Sequence, residues 1–148
     1  GMTNEVKFGG LSSFKIEPFQ TVLVDELIPY VDSNFRTVAN HSNRAMAGLS
    51  MGGMETKSIT LNKPEVFSHY ALLSGGTYKP EDIKDKSKVK LIFLSCGSKE
   101  RPDGIKDAVS TLKNAGFNAV SYISENTGHE FQTWRRSFKE LAPLLFKA

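Results

Sequence analysis

The chain has 148 residues, 39% hydrophobic and 24% charged, the balance of an ordinary globular protein with enough length for one cored domain over residues 1–148. A net charge of +3, with the lysines scattered, is too small to argue for a nucleic-acid partner. A single cysteine, Cys96, excludes an internal disulfide, and no apolar run is long enough to span a membrane. No cluster of His, Cys and Asp suggests a metal site, so neither metal nor cofactor is expected.

The opening stretch "GMTNEVKFGGLSS" reads as a polar, glycine-containing lead-in. Gly1 ahead of Met2 looks like a cloning remnant, and no signal peptide is visible. Pro18 suits a first helical turn, and Phe19, Leu23, Leu27 and Tyr30/Val31 follow at helical spacing. Pro29 is expected to kink this helix or mark its last turns. "RAMAGLS" is a short buried-strand candidate, followed by a helix "MGGMETKSITLN" that Asn62 and Pro64 end. "SHYALLSGG" is a second strand, and "TYKPEDIKDKSKVK" reads as a solvated loop. "KLIFLSCG" is the clearest strand, with Cys96 expected inside it as a small buried residue. "DGIKDAVSTLKNAG" is the clearest helix: Ile105, Ala108, Val109, Leu112 and Ala115 form one stripe and Gly116 caps it. "NAVSYIS" is a fourth strand and "ENTGHE" a loop. "FQTWRRSFKELAPLLF" closes the chain as a helix expected to turn Phe131, Trp134, Phe138 and Leu141 inward. This alternation predicts an α/β fold: a mainly parallel sheet between helices in three layers.

In such sheets function gathers at the carboxyl ends of the strands. Gly48-Leu49-Ser50-Met51-Gly52 stands at one of these ends and fits G-x-S-x-G, the sharp strand-to-helix turn that exposes a nucleophilic serine. Side chains two residues either way are expected to collide with the neighbouring strand and helix. The Met51 N–H, opening the helix, is placed to donate to an oxyanion. A serine needs a base. His41 precedes the elbow strand and His69 opens a strand, both at the wrong end; His69 reads as structural or exposed. His129 follows the last strand at the right end. The acid should follow the intervening strand, which favours Glu100 over Asp103; Asp107 falls inside a helix. Glu100 would hold the His129 tautomer. Glu125 and Glu130, beside His129, read as exposed loop acids.

Together "NRAMAGLSMGGMET", "LSCGSKE" and "GHEFQTWRRSFKELAPLLF" resemble the putative esterase family of α/β-hydrolases, in its branch of feruloyl and acetyl-xylan esterases of carbohydrate esterase family 1. "VLVDELIPYVDSNFRT" also resembles that family's helix before the elbow strand. The resemblance implies Ser50 as nucleophile, His129 as base and Glu100 as acid, where the family usually has aspartate. It implies Met51 as one oxyanion donor. The implied activity is a serine carboxylesterase acting on acyl or feruloyl esters of plant polysaccharide, outside the cytoplasm. The family has further strands before Phe19, one of whose turns supplies the other oxyanion donor, so the chain is expected to be a partial hydrolase fold. The alternative expectation is a truncated, inactive interaction or structural module. In either case an open sheet edge would favour a homo-oligomer.

Overall fold

The computed structural model describes residues 16–147. It divides into two compact units, Gly1–Ala39 and Asn40–Ala148. The described part of the first is one helical stretch: α1 (Glu17–Thr21), a π-helical segment (Val22–Leu27) and α2 (Ile28–Asn34). Proline cannot donate to the ladder, and its ring crowds the carbonyl four residues back. The wider π turns directly ahead of Pro29 are where this helix departs from α geometry. The chain runs on to Asn34, so Pro29 does not end it.

The second unit is built on a parallel sheet. Its elements are β1 (Ala45–Leu49), α3 (Met51–Asn62), β2 (His69–Leu73), β3 (Leu91–Gly97), α4 (Pro102–Asn114), β4 (Ala119–Ser124) and α5 (Phe131–Leu141). The strands lie in the order β1-β2-β3-β4, with Leu49 beside Leu73, Leu73 beside Ser95, and Gly97 beside Ser124. Because every strand points the same way, all the carboxyl ends meet at one edge of the layer. β2 and β3 are buried along their whole length, which explains their continuous apolar runs.

Side chains alternate between the two faces. Ala71, Leu73, Leu91 and Phe93 form one core with Leu141 of α5, and Trp134 packs against it. Tyr70, Leu72, Ile92 and Leu94 face the other way, toward α3 and α4, and are equally buried. Gly116 has φ +92 and ends α4 as a left-handed cap. The link from β2 to β3 contains only two short 3-10 turns, Pro80–Asp82 and Lys86–Lys88. Most of it is exposed, yet Tyr78 is 1% exposed, stacks near Tyr70 and shares a 2.7 Å hydrogen bond with the Thr60 hydroxyl of α3.

The closing helix departs from expectation. Leu141 is buried and Trp134 half-buried, but Phe131 and Phe138 are 73% and 58% exposed. They lie seven residues apart on one flank of α5, while the buried line runs through Thr133, Ser137 and Leu141. An apolar residue at helical spacing is thus no guarantee of the inward face. The helix also stops at Leu141, where a 3-10 turn containing Pro143 takes over.

Candidate active site

Ser50 sits between β1 and α3 with φ 53 and ψ -120, a backbone state costly for a side-chain-bearing residue. Its N–H donates to the Leu73 carbonyl at 2.9 Å, tying the turn to the end of β2. The glycines around it have unequal reasons. A Cβ on Gly48 would lie 1.9 Å from the Gly52 oxygen and 2.5 Å from Thr56 Oγ1. A Cβ on Gly52 would meet nothing within 4 Å, so the expected collision is absent there. The crowded position is the next one: a Cβ on Gly53 would come 2.5 Å from Gly75 Cα. The first turn of α3 rests directly on the backbone that follows β2.

From Ser50 a line of hydrogen bonds crosses the carboxyl ends of the strands. Ser50 Oγ is 2.8 Å from His129 Nε2. His129 Nδ1 is 2.8 Å from Glu100 Oε1. The second oxygen, Oε2, accepts from the Gly97 N–H at 2.7 Å and from the Ser74 hydroxyl at 2.7 Å. A carboxylate only accepts, so His129 Nδ1 carries the proton and Nε2 is free to accept from Ser50. The His129 side chain is half exposed, while that of Glu100 is 18% exposed. Burial acts to raise the Glu100 carboxyl, but the Gly97 N–H, the Ser74 hydroxyl and the His129 ring outweigh it. The group is held below the usual carboxylate range.

The loop that carries His129 is pinned on several sides. Lys99 N–H donates to the Thr127 carbonyl at 2.9 Å, and Asn126 N–H to the Ser98 hydroxyl at 2.8 Å. Thr133 of α5 donates to the Gly128 carbonyl. Trp134, one turn into the same helix, sets its ring edge-on to His129 with centroids 5.2 Å apart. Arg136 reaches back to the Glu125 carbonyl at 2.9 Å. Glu125 and Glu130 are exposed, and the latter accepts from the Gly128 N–H at 3.2 Å.

The other candidates lie elsewhere. Asp103 is in the first turn of α4 and Asp107 further along it, outside the hydrogen-bonded line. His41 is in a 3-10 turn before β1, and His69 opens β2; both are at the amino end of the sheet. His69 is 3% exposed. Met51 begins α3, so its N–H is one of the helix-terminal donors without a partner inside the helix. Cys96 is buried, and burial pushes its thiol up, with the Glu100 charge adding to the effect. It lines a cavity of about 540 Å³ beside Glu100, shared with Ser74, Thr77, Lys99 and Arg101. Ser74 and Trp134 had no place among the predicted site residues. Ser74 could have been found by position, since it directly follows β2 at the same edge as Ser50. The helical spacing of Trp134 signals only a core residue.

The family model for Esterase, described as putative esterase, matches residues 12–82. Over 147 residues the chain is 58% identical to an endo-1,4-beta-xylanase/feruloyl esterase of Xylanibacter ruminicola. Both matches liken the chain to the putative esterase family. The match to the xylanase/feruloyl esterase covers 99% of this chain but 20% of the relative. Among solved structures, a mutant feruloyl esterase module from Clostridium thermocellum complexed with sinapinate superposes with a TM-score of 0.71 at 18% identity. It covers 89% of this chain and 59% of that one. A CE1 ferulic acid esterase from Anaeromyces mucronatus in complex with ferulic acid gives 0.70 at 12% identity, over 99% and 61%. At these identities the likeness speaks for the fold, which is a partial α/β-hydrolase fold. Among the described residues no group of three or more His, Cys, Asp or Glu could hold a metal, and no helix is long and apolar enough to cross a membrane.

Proposed function

We propose that this chain, as part of one hydrolase domain, carries the nucleophile, base and acid of a serine esterase acting on feruloyl or other acyl esters of plant polysaccharide. The observation that carries the reading is the unbroken line from Ser50 through His129 to Glu100, with both links at 2.8 Å. The xylanase/feruloyl esterase named among its relatives supports the substrate class, and a polymeric plant substrate favours a site of action outside the cytoplasm.

The chemistry follows from the geometry. His129 Nε2 takes the Ser50 proton as Oγ attacks the ester carbonyl carbon. Charge builds on the carbonyl oxygen, where the Met51 N–H and the amino end of α3 favour it. The imidazolium is stabilised by Glu100, which also fixes the ring's tautomer. The intermediate collapses as His129 returns the proton to the leaving alcohol, and the acyl group stays on Ser50. Water, deprotonated by the same nitrogen, then attacks the acyl-enzyme and releases the acid. No step needs a cofactor.

The test is labelling with a fluorophosphonate probe, followed by hydrolysis of a feruloyl ester. We expect a single labelled residue, Ser50, and loss of labelling in Ser50→Ala. Labelling that persists in that variant would overturn the assignment. A second reading, an interaction module, has one observation behind it. β1 is an edge of the described sheet, with Ala47 and Leu49 exposed. An open edge recruits partners, a second copy of the chain included. Light scattering that finds a stable monomer at micromolar concentration would count against self-association.

A further inference from the structure

Glu100 carries its carboxylate on one methylene more than an aspartate would, and it has one more torsion to hold. Ser74 meets that need. It follows β2 directly, its N–H donates to the Ser95 carbonyl at 2.8 Å, and its backbone is left-handed at φ 50. That conformation is uncommon for a residue with a side chain. It aims the hydroxyl across the strand ends onto Glu100 Oε2 at 2.7 Å, the oxygen that does not face His129. The Gly97 N–H takes the same oxygen from the other side. With Oε2 held by two donors, Oε1 is the oxygen presented to the imidazole.

We propose that Ser74 is a positioning residue of the hydrolase site, holding the longer Glu100 carboxylate so that Oε1 stays aligned on His129 Nδ1. This rests on the esterase reading above. The strained backbone is part of the argument. A loop that only had to turn here would be better served by glycine, as at Gly76, which has φ +103 two residues on. Ser74 keeps a side chain in a conformation that disfavours one, and the atom so gained spends its hydrogen bond on Glu100. The charged and titratable neighbours around that carboxylate are His129 on the opposite oxygen, with Lys99, Arg101 and the Cys96 thiol along the adjoining cavity wall.

Two variants of the full chain test this together. Ser74→Ala removes the hydroxyl and keeps the strained backbone. Ser74→Gly removes the hydroxyl and relieves the strain, so it melts at the same or a higher temperature than the parent. Both are expected to lower kcat on a feruloyl ester about tenfold, the scale of one lost hydrogen bond to a charged group, with KM within about twofold. In both, the acid limb of the kcat/KM profile moves to higher pH, because a carboxylate with one donor fewer turns more of its charge on the facing His129 ring and favours the protonated base. A glycine variant with parental kcat and pH profile overturns the positioning role, whatever the alanine variant does. Failure of the esterase reading looks different: parental Ser50 then reacts with the fluorophosphonate no faster than it does in His129→Ala. That result would overturn the inference along with the reading on which it rests.

Discussion

Two serine–histidine pairs sit at opposite ends of the same sheet, and their serines face opposite sides of the ring. At the amino end, the Phe146 N–H donates to His69 Nε2 at 3.2 Å, so that nitrogen accepts and Nδ1 holds the proton. Nδ1 then donates to Ser68 Oγ at 2.7 Å, and the Ser68 hydroxyl donates to the Arg44 carbonyl at 3.3 Å. At the carboxyl end Glu100 accepts from His129 Nδ1, which leaves Nε2 to accept from Ser50. The tautomer is the same in both. Only Ser50 faces a lone pair that can take its proton; Ser68 faces an N–H. The surroundings agree, since Ser68 and His69 are both buried whereas His129 is half exposed. A short Ser–His contact is therefore not by itself a reactive pair. What stands on the ring's other nitrogen decides.

The largest expected effect separates the pairs outright. Ser50→Ala should abolish probe labelling and lower ester turnover by about 10⁶-fold, the scale for removal of a nucleophile that acts with its base. Ser68→Ala should leave labelling at the parental rate. Its cost appears in urea denaturation instead, at about 1–3 kcal/mol, because the His69 Nδ1–H is left buried without its acceptor. A labelling defect in Ser68→Ala would mean that the two ends of the sheet are not independent.

The next effect asks whether the acceptor on Nδ1 matters as the comparison says. Glu100→Gln should lower kcat by about 10⁴-fold, since an amide can present an N–H to the ring and favour the wrong tautomer. Asp103→Asn, in the first turn of α4, should stay within about twofold. Steady-state kinetics on one ester, with both variants side by side, would reverse the assignment if Asp103→Asn proved the more damaging.

The glycines give a smaller and purely structural contrast. Gly53→Ala should destabilise by about 1–3 kcal/mol, because its Cβ would press on the Gly75 backbone. Gly52→Ala opens onto free space and should be neutral or stabilising by up to about 1 kcal/mol, as alanine suits a helix better. Denaturant midpoints measure both, and a costlier Gly52→Ala would restore the packing reason first given to the motif's second glycine.

These glycines also show what the sequence carried and what it did not. The elbow turn, the alternation of strands and helices and the positions of Ser50, Glu100 and His129 after strands were legible, because in a parallel sheet strand direction brings those ends to one edge. Contacts between segments far apart in sequence were not. Gly53 needs its size because of Gly75, which no local pattern announces. Ser74 looks like loop chemistry until Glu100 is brought over it. Phe131 and Phe138 share the helical spacing of Trp134 and Leu141, yet they fall on the flank of α5 that the sheet leaves uncovered. Periodicity finds a helix and a stripe; the neighbours decide how wide a stripe is buried.

The smallest expected effect lies in pH and again divides the two histidines. Burial, together with the nearby Lys90 and His41, lowers the affinity of His69 for a proton below that of an unfolded histidine, near 6.5. Above that value His69 is neutral in both states and contributes no slope. As pH falls through it, the unfolded chain takes up the proton first, so stability declines. The decline levels off once the folded ring is protonated as well, which costs the bond from the Phe146 N–H. The Glu100 contribution is separate: its carboxyl is lowered, so the stability it lends is lost only as pH falls below the usual value of 4.5. Urea midpoints between pH 7 and pH 5 therefore report on His69 and not on Glu100. We expect a falling midpoint in the parent and a flatter one in His69→Asn, which has nothing to protonate. An equal slope in the two would show that folded His69 takes up its proton as readily as the unfolded chain does, and that burial does not set this pair apart from the pair at Ser50.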